Sequence, residues 1–354
     1  MSAKRRGLLT SERNAKRSRP TKRVSCIEAW LLNGPLHVQS LCDIVTAYVQ
    51  LQGELFSALR GSSDRVTAFG VLPDGSLAST SLEGKVDVWD VDASQCLRTL
   101  RGRCSNGYPL DVSVRALIVL PDGNLAMGLD DNTVCVWDAH SGQCLRTLHG
   151  HRHYICALAL LPDNKLASGS MDNTVRVWDM LSGVCLLTLS FARVGHNFNV
   201  TALAALPGDR LAAAYGDHHV RVWDLASSEC TSTLSGHIKE ITDLAILQGG
   251  KLASSSNDRT VRLWDTESGV HLLTMVDPDD ALFTVIALPN GTLASGSCGN
   301  KVRVWDAETG ACLLVIDLDR FDVQDSCNSV YALAALPDGK LACGQKDGTV
   351  RVCW

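Results

Sequence analysis

Two stretches of the chain carry the same four side-chain types, and three of those types could do proton-transfer chemistry. The two sets are His151, Ser168, Asp172 and Trp178, then His237, Ser254, Asp258 and Trp264. A serine, a histidine and a carboxylate are the residues of a hydrolytic triad, in which the histidine takes the serine proton. The whole set recurs at one fixed spacing, however, and this favours a structural role because catalysis needs only one such site.

The tryptophans of these sets belong to a short motif, an apolar residue followed by Trp-Asp, that recurs along the chain. The remaining copies are Val88-Trp89-Asp90, Val136-Trp137-Asp138, Val222-Trp223-Asp224 and Val304-Trp305-Asp306. Successive tryptophans lie 48, 41, 45, 41 and 41 residues apart. A period near 41 residues indicates a repeat architecture.

Each repeat reads as four short strands joined by tight turns. In one copy, the apolar segment 155–161 ends at Pro162-Asp163, which is a turn signal. Three further β-type segments follow at 165–170, 174–178 and 184–189, and their spacing and composition predict strands. A Leu-Ala pair opens the second strand in seven copies, at Leu77, Leu125, Leu166, Leu211, Leu252, Leu293 and Leu341.

Seven four-stranded units with this motif resemble WD repeats, and the resemblance covers residues 54–354. It implies an all-β fold, a seven-bladed β-propeller. In WD repeats the Trp bonds Ser or Thr, which bonds His, which bonds Asp. The resemblance implies this structural hydrogen-bond network for both four-residue sets. Other copies are incomplete, since Met127, Ala213 and Cys343 stand in the serine position.

The two ends of the repeat region predict how the ring closes. Residues 55–61, LFSALRG, match the fourth strand of other copies but precede the first complete copy, whereas the last copy stops after its third strand. We therefore expect a propeller closed by an N-terminal strand, which removes exposed sheet edges. In the last copy Cys353, and not Trp354, falls in the tryptophan position, so Trp354 is not expected to be buried like the others.

Composition and motifs do not favour an enzyme or a cofactor-binding protein. The glycines fall at repeat turns, and no phosphate-binding loop or Cys-x-x-Cys pair is present. The acidic run 317–325 lacks the spacing and central glycine of a calcium loop. We expect neither a metal nor a cofactor. Five of the fourteen cysteines (Cys96, Cys144, Cys185, Cys230 and Cys312) lie seven residues after a motif tryptophan and are repeat residues, so a reducing compartment fits best. No apolar run is long enough to span a membrane.

A basic tail, residues 1–23, precedes the repeats and is expected to be disordered. It has a net charge of +8, against −13 for the rest of the chain. Its basic residues are Lys4, Arg5, Arg6, Arg13, Lys16, Arg17, Arg19, Lys22 and Arg23. Two basic clusters at this spacing are similar to a bipartite nuclear localisation signal, which would bind importin. The alternatives are a solvated tail or a nucleic-acid-binding arm, and a nuclear location is favoured over a cytoplasmic one.

Residues 24–53 differ from both neighbours and predict a short helical extension. Ser25 to Glu28 form a capping-box pattern, and the apolar residues from Val38 to Tyr48 follow helical spacing. These helices either pack under the propeller or bind a partner. The stretch 34–48 is similar to part of an F-box, the adaptor-binding element of some ubiquitin-ligase receptors.

The favoured function is a non-catalytic scaffold that presents propeller loops to other proteins or peptides. The alternatives are a substrate-recognition subunit of a ubiquitin ligase and an RNA-associated nuclear propeller. Against the first, no Trp-Asp copy is followed by the Arg that cullin-type receptors carry two residues on. Nucleic acid is not expected to bind the propeller, because the chain that follows the basic tail has a net charge of −13.

Two acidic connections suggest where a partner could bind. They lie between a fourth strand and the next first strand, and contain Asp277, Asp279, Asp280, Asp317, Asp319, Asp322 and Asp325. Arg320 is the one basic residue within them. Such loops either attract a basic segment of a partner or are ordinary solvated turns.

Overall fold

The computed structural model describes residues 57–61, 64–101, 112–191, 198–319 and 328–353. The basic tail, the predicted helical segment 24–53 and Trp354 lie outside these residues. Within the described part of the chain, no helix has the length and apolar character needed to cross a membrane.

The described residues contain twenty-eight strands, which form seven antiparallel sheets, the blades of a β-propeller. The chain enters through β1 (Ser57–Arg60), and blade 1 then contains β2 (Val66–Val71), β3 (Leu77–Ser81), β4 (Lys85–Asp90) and β5 (Gln95–Arg101). Blade 2 contains β6 (Val114–Val119), β7 (Leu125–Leu129), β8 (Val134–Trp137) and β9 (Cys144–Leu148). Blade 3 contains β10 (Ile155–Leu161), β11 (Lys165–Ser170), β12 (Thr174–Asp179) and β13 (Cys185–Ser190).

The remaining blades repeat this order. Blade 4 contains β14 (Val200–Leu206), β15 (Arg210–Tyr215), β16 (Val220–Asp224) and β17 (Cys230–Leu234). Blade 5 contains β18 (Ile241–Ile246), β19 (Lys251–Ser256), β20 (Thr260–Asp265) and β21 (His271–Val276), with a 3-10 turn at Gln248–Gly250. Blade 6 contains β22 (Leu282–Ala287), β23 (Leu293–Ser297), β24 (Lys301–Trp305) and β25 (Cys312–Asp317), and blade 7 contains β26 (Val330–Ala335), β27 (Leu341–Gln345) and β28 (Thr349–Cys353).

The ring closes by strand exchange between the two ends of the described chain. β1 pairs antiparallel with β28, so that Ser57 lies opposite Val352 and Arg60 opposite Thr349. Blade 7 thereby gains its fourth strand, in the order β1-β28-β27-β26. The first strand of each blade packs against those of its neighbours all the way round, including β2 against β26. The predicted seven-bladed propeller and its closing strand are confirmed.

The core lies between successive blades. Second strands such as β7 and β11 are buried along nearly their whole length, because neighbouring blades cover both of their faces. Fourth strands such as β13 alternate between exposed and covered residues, as expected at the outer rim. The first residue of every first strand is a buried aliphatic: Val66, Val114, Ile155, Val200, Ile241, Leu282 and Val330.

The aspartate after each tryptophan shapes the turn into the fourth strand. In blade 3, Oδ1 of Asp179 accepts a hydrogen bond from the Leu181 amide at 2.9 Å, and Oδ2 accepts one from the Ser182 hydroxyl at 2.7 Å. Gly183 follows with a φ of 74°, a conformation that glycine adopts without strain. These hydrogen bonds, led by that of Ser182, lower the pKa of Asp179. The recurring Trp-Asp pair therefore joins a core residue to a turn-forming one.

The last blade follows the register predicted for it. Leu341 lies opposite Cys353 in the β27–β28 pair, just as Leu166 lies opposite Trp178 in blade 3. Cys353 is buried. It therefore occupies the place that tryptophan has in the other six blades.

Candidate functional site

The two four-residue sets form continuous hydrogen-bonded chains. In blade 3 the Trp178 indole N–H donates to Oγ of Ser168 at 2.8 Å, and that oxygen lies 2.7 Å from Nε2 of His151. Nδ1 of His151 lies 2.9 Å from Oδ2 of Asp172. Blade 5 repeats the arrangement, with 2.9, 2.7 and 2.8 Å between Trp264, Ser254, His237 and Asp258. Each chain ties the loop before the first strand to the second and third strands of the blade and to the turn between them.

The carboxylate at the end of each chain is held in its ionised form. Burial acts to raise the pKa of Asp172, but hydrogen bonds from His151, Thr174 and the Arg152 amide outweigh it and hold the pKa below its ordinary value. The pKa of Asp258 is lowered in the same way. A neutral imidazole with its proton on Nδ1 satisfies all of these contacts, an assignment that follows from the hydrogen-bond geometry.

These serines are not placed for catalysis. Ser168 and Ser254 are fully buried, and each hydroxyl oxygen is already engaged by an indole N–H. A nucleophilic serine must reach its substrate. The geometry supports the structural interpretation of the Ser, His and Asp residues.

The other blades keep the tryptophan and change its partner. In blades 1 and 6, Trp89 and Trp305 donate to Ser79 and Ser295, each at 2.8 Å. In blade 4, where alanine replaces the serine, Trp223 donates to the Tyr215 hydroxyl at 3.2 Å. In blade 2, where methionine replaces it, the Trp137 indole N–H has no hydrogen-bond partner among the described residues.

The first acidic connection is largely neutralised from within blade 6. Asp277 is buried and paired with Arg303. Asp279 lies 2.7 Å from the same guanidinium and 3.3 Å from Nζ of Lys301, which is 4.0 Å from Asp280. The sequence count assigned no cation to these three aspartates, because Lys301 and Arg303 are distant in sequence. Folding brings them to the loop, where they occupy the place of a bound cation.

The second acidic connection is only partly described. Asp319 is exposed and accepts a hydrogen bond from the Asn300 amide at 2.7 Å. Asn300 in turn accepts one from Gln345 at 2.6 Å, and Gln345 accepts one from Arg351 at 2.9 Å. Asp317 is half-buried, and Asp322 and Asp325 lie outside the described residues. The described part of this connection thus links blade 6 to blade 7.

The first strands surround a central cavity of about 300 Å³. Because the strands of a blade alternate in direction, its loops fall on two faces. We call the loop face the one formed by the fourth-to-first and second-to-third connections. The second residue of each first strand lines the cavity near this face: Thr67, Arg115, Cys156, Thr201, Thr242, Phe283 and Tyr331.

Arginine and aromatic side chains gather where the cavity meets the loop face. We call Arg65, Arg115, Tyr154, Phe283 and Tyr331 the channel-mouth cluster. The rings of Phe283 and Tyr331 stack at 4.6 Å between centroids with an angle of 5°. The Arg65 guanidinium lies 4.4 Å above the Tyr331 ring, so that blades 6, 7 and 1 contribute one three-layer stack.

Blades 2 and 3 contribute a second stack to the cluster. The Arg115 guanidinium lies 4.9 Å from the centre of the Tyr154 ring and is ion-paired with Asp130. His153 packs edge-on against Tyr154 at 4.4 Å. All five cluster side chains are half-buried. They are therefore held in place by packing while part of each remains accessible.

A half-buried carboxylate, that of Asp243, lies on the cavity wall below this mouth. Oδ2 of Asp243 accepts hydrogen bonds from the Thr284 hydroxyl at 2.8 Å and the Val285 amide at 3.1 Å, and Oδ1 accepts one from the Leu244 amide at 2.8 Å. Loss of solvation raises the pKa of Asp243 to about 6 despite these donors. Five of the other blades have alanine at the position of Asp243, and the sixth has Thr284 itself.

Sequence reasoning missed the channel-mouth cluster and Asp243, although the aligned copies contain a signal. The first residue of each first strand is always aliphatic, whereas the second is Thr, Arg, Cys, Phe or Tyr. The first position is always aliphatic because it packs in the core. The second position varies in chemical type, which indicates that its side chain faces away from the core. The pairing of Tyr331 with Arg65 was not readable, because these residues lie at opposite ends of the repeat region.

The comparison with known families agrees with the repeat geometry. The family described as "WD domain, G-beta repeat" matches residues 94–138, 142–179, 183–224, 228–265 and 320–353, together more than half of the chain. The chain belongs to the WD-repeat family. Members of this family generally serve as protein-interaction scaffolds, and no curated protein matches the chain.

A solved WD-repeat structure has the same architecture. The crystal structure of the WD40 β-propeller domain of Doa1 has a TM-score of 0.71 with this chain and 24% sequence identity. The match covers 84% of this chain and 96% of that one. At this identity the similarity supports the fold and does not extend to what the domain binds.

Proposed function

We propose that this WD-repeat protein is a non-catalytic scaffold that binds a protein partner at the channel mouth on its loop face. The single observation that carries this proposal is the channel-mouth cluster, two arginine–aromatic stacks from five blades, of which Arg115, Phe283 and Tyr331 line the cavity. Tyrosine and arginine are enriched among the residues that dominate protein–protein binding energy.

The way in which the cluster is held supports a binding role. Arg65 and Tyr331 are already ordered by the stack on Phe283, so a partner would not have to freeze them on binding. Side-chain ordering costs about 0.5–1.5 kcal/mol for each flexible side chain that becomes fixed at an interface. A side chain of the partner could enter the cavity behind the cluster and lose its contact with water there.

The loop around the cluster offers further accessible apolar area. Ile238, which follows the network residue His237, is 76% exposed on this face. Its amide is fixed by a hydrogen bond of 3.1 Å to Asp258. The hydrogen-bond network of blade 5 thus holds the exposed Ile238 side chain in a defined position. Loops on rigid scaffolds commonly present binding residues in this way.

The proposal can be tested by comparing binding partners of three forms of the full-length protein. The wild type, an Arg65→Ala/Tyr331→Ala variant and a Leu181→Ala variant are each captured from cells, and bound proteins are quantified. Leu181 is 76% exposed and lies on the opposite face. We expect the mouth variant to lose specific partners that the Leu181 variant keeps, with the loss reproduced in titrations of purified proteins.

The folded state of each variant is checked by thermal unfolding. Both substitutions remove partly or largely exposed side chains, so only small changes in melting temperature are expected. Identical partner sets and identical affinities for the wild type and the mouth variant would refute the proposal.

The ubiquitin-ligase, RNA and importin interpretations rest on residues outside the described part of the chain. No contact among the described residues favours the first two. Among the described residues of the acidic connections, Asp279 and Asp319 are the exposed aspartates that a basic segment could contact, since Asp277 is buried against Arg303.

A further inference from the structure

The closing blade differs from the others at the two positions that elsewhere hold a tryptophan and its hydrogen-bond acceptor. Cys353 occupies the tryptophan position, opposite Leu341. Cys343 occupies the serine position, opposite Arg351, as Ser168 lies opposite Arg176 in blade 3. A cross-strand N–H to O–H hydrogen bond is thereby replaced by two facing thiols.

The two sulfur atoms are already in contact. Sγ of Cys343 lies 3.6 Å from Sγ of Cys353, and both residues are buried, at 0% and 2% exposure. They belong to the apolar cluster between blades 6 and 7, together with Val330 and Leu333. A disulfide bond requires about 2.05 Å between the sulfurs, so the two sulfurs must move closer together. Cys343 pairs with Arg351 and Cys353 with Leu341, so the bond joins diagonal positions of two paired strands and closing it requires the strands to shift as well as the side chains to rotate.

We propose that Cys343 and Cys353 form an oxidation site, and that hydroperoxides convert the pair into a disulfide bond across β27 and β28. The Cys353 thiol first reduces hydrogen peroxide to water and becomes a sulfenic acid. The Cys343 sulfur then attacks the Cys353 sulfur, the S–O bond breaks, and a second water leaves with the Cys343 proton. The two thiols supply the two electrons and two protons that the peroxide accepts.

The position of the pair gives the two cysteines different roles in this sequence. Cys343 lies in the middle of β27, and its contact with Cys353 together with burial raises the pKa of the Cys343 thiol. A neutral thiol reacts slowly with peroxide. Cys353 lies at the end of β28, where a strand opens locally most easily, so it reacts first and Cys343 resolves the sulfenic acid.

The location of the bond makes it a means of stabilising the ring closure. β28 lies between β27 and β1, and β1 is the strand that closes the propeller. A covalent bond between β27 and β28 holds β28 in place, and β28 is the strand with which β1 pairs. Oxidation therefore strengthens the one blade that is assembled from both ends of the repeat region.

The test treats the folded full-length protein with hydrogen peroxide, blocks free thiols and digests the product with trypsin under non-reducing conditions. Cleavage after Lys340, Lys346 and Arg351 places the two cysteines in separate peptides, Leu341–Lys346 and the one that begins at Val352. We expect these peptides joined and lighter by two hydrogens, and separated again by a reductant. The melting temperature should rise by roughly 3–8 °C on oxidation and fall back on reduction.

Two variants serve as matched controls. Cys343→Ser restores the serine of blades 3 and 5, and should abolish both the joined peptide and the rise in melting temperature. Cys135→Ser changes another buried cysteine, in blade 2, and should abolish neither. The proposal is overturned if the two peptides stay separate in the folded wild type while the exposed cysteines become oxidised, or if they join only after denaturation.

Discussion

At the scale of single residues, the protein shows how one motif can be varied without loss of the fold. The indole N–H of the motif tryptophan donates to a serine in four blades and to Tyr215 in one. In blade 2 it has no partner within the part of the chain that the structure describes, and in blade 7 a cysteine stands at the tryptophan position. The apolar burial of each tryptophan is thus the common requirement, and the polar network is added on top of it.

The first prediction measures what the complete network contributes. Ser168→Ala should lower the free energy of unfolding by about 2–4 kcal/mol, because it leaves two buried atoms, the Trp178 N–H and Nε2 of His151, without their partner. Ser79→Ala should cost only about 1–2 kcal/mol, because Ser79 accepts a single hydrogen bond from Trp89. Urea unfolding of the two variants provides the comparison, and equal losses would show that the histidine and aspartate add nothing.

The second prediction concerns the pH dependence set by Asp243. Its pKa is about 6 in the folded protein, above the ordinary value for an aspartate, so between about pH 4 and 6 the folded state binds the proton more tightly than the unfolded state. Stability should therefore fall as the pH rises through this window, by on the order of 2–3 kcal/mol, and level off above it.

Asp243→Asn removes the titrating group and should flatten the curve over the same window. The measurement is the urea midpoint of both proteins from pH 4 to 7, corrected for any constant offset. Asp172 and Asp258 do not interfere, because their lowered pKa values give a loss of stability only as the pH falls below about 4. A parallel pH dependence in the variant would contradict the prediction.

At the scale of elements, β1 is a short strand on which the closure of the whole ring depends. It adds the fourth strand to blade 7, and Leu59 is buried against Val350 and Val352. Without it, β28 would present an open edge and an apolar face.

A β-bulge recurs between the first and third residues of every first strand, such as Ile155/Ala157, and these bulges set the local twist.

The third prediction tests closure by truncation. Removing residues 1–61 should destabilise the protein severely or prevent folding, because the lost ladder and the buried Leu59 together account for several kcal/mol in a domain that has only about 5–15 kcal/mol to spare. Removing residues 1–50 should have a much smaller effect. Thermal melts of the two truncated proteins give the answer, and equal melting temperatures would rule out a closing role for β1.

At the scale of the whole molecule, the chain combines a closed ring with a tail of opposite charge. The tail carries +8 and the remainder −13. The described acidic side chains are partly paired within the fold, as Asp277 is with Arg303. The net charge therefore bears on solubility and non-specific binding, and it does not identify a binding site.

The fourth prediction addresses the tail directly. If residues 1–23 act as a nuclear import signal, Lys16→Ala, Arg17→Ala and Arg19→Ala together should move a fluorescently tagged protein from the nucleus to the cytoplasm of a eukaryotic cell. A matched control changes Lys239, Lys251 and Lys346, exposed or partly exposed lysines of the propeller, to alanine and should leave the distribution unchanged. An unchanged distribution of the tail variant would exclude an import role in that cell.

The sequence by itself determined the number of blades, the four strands of each and the strand that closes the ring. It could do so because these features repeat: a Trp-Asp pair every 41–48 residues and a fourth-strand pattern before the first complete copy are local signals. The place of Cys353 at the tryptophan position of the last copy was also predictable, since Cys353 follows Asp347 by the same six residues that separate Trp178 from Asp172.

Only the tertiary structure decided which side chains from different blades meet. Arg65 and Tyr331 stack across the closure of the ring, Arg303 reaches back to neutralise Asp277, and Asp243 gains its donors from the next blade. These contacts join residues that are from 26 to 266 positions apart. No periodicity encodes them, because the distance between two such side chains is set by the curvature of the ring and the packing of neighbouring blades.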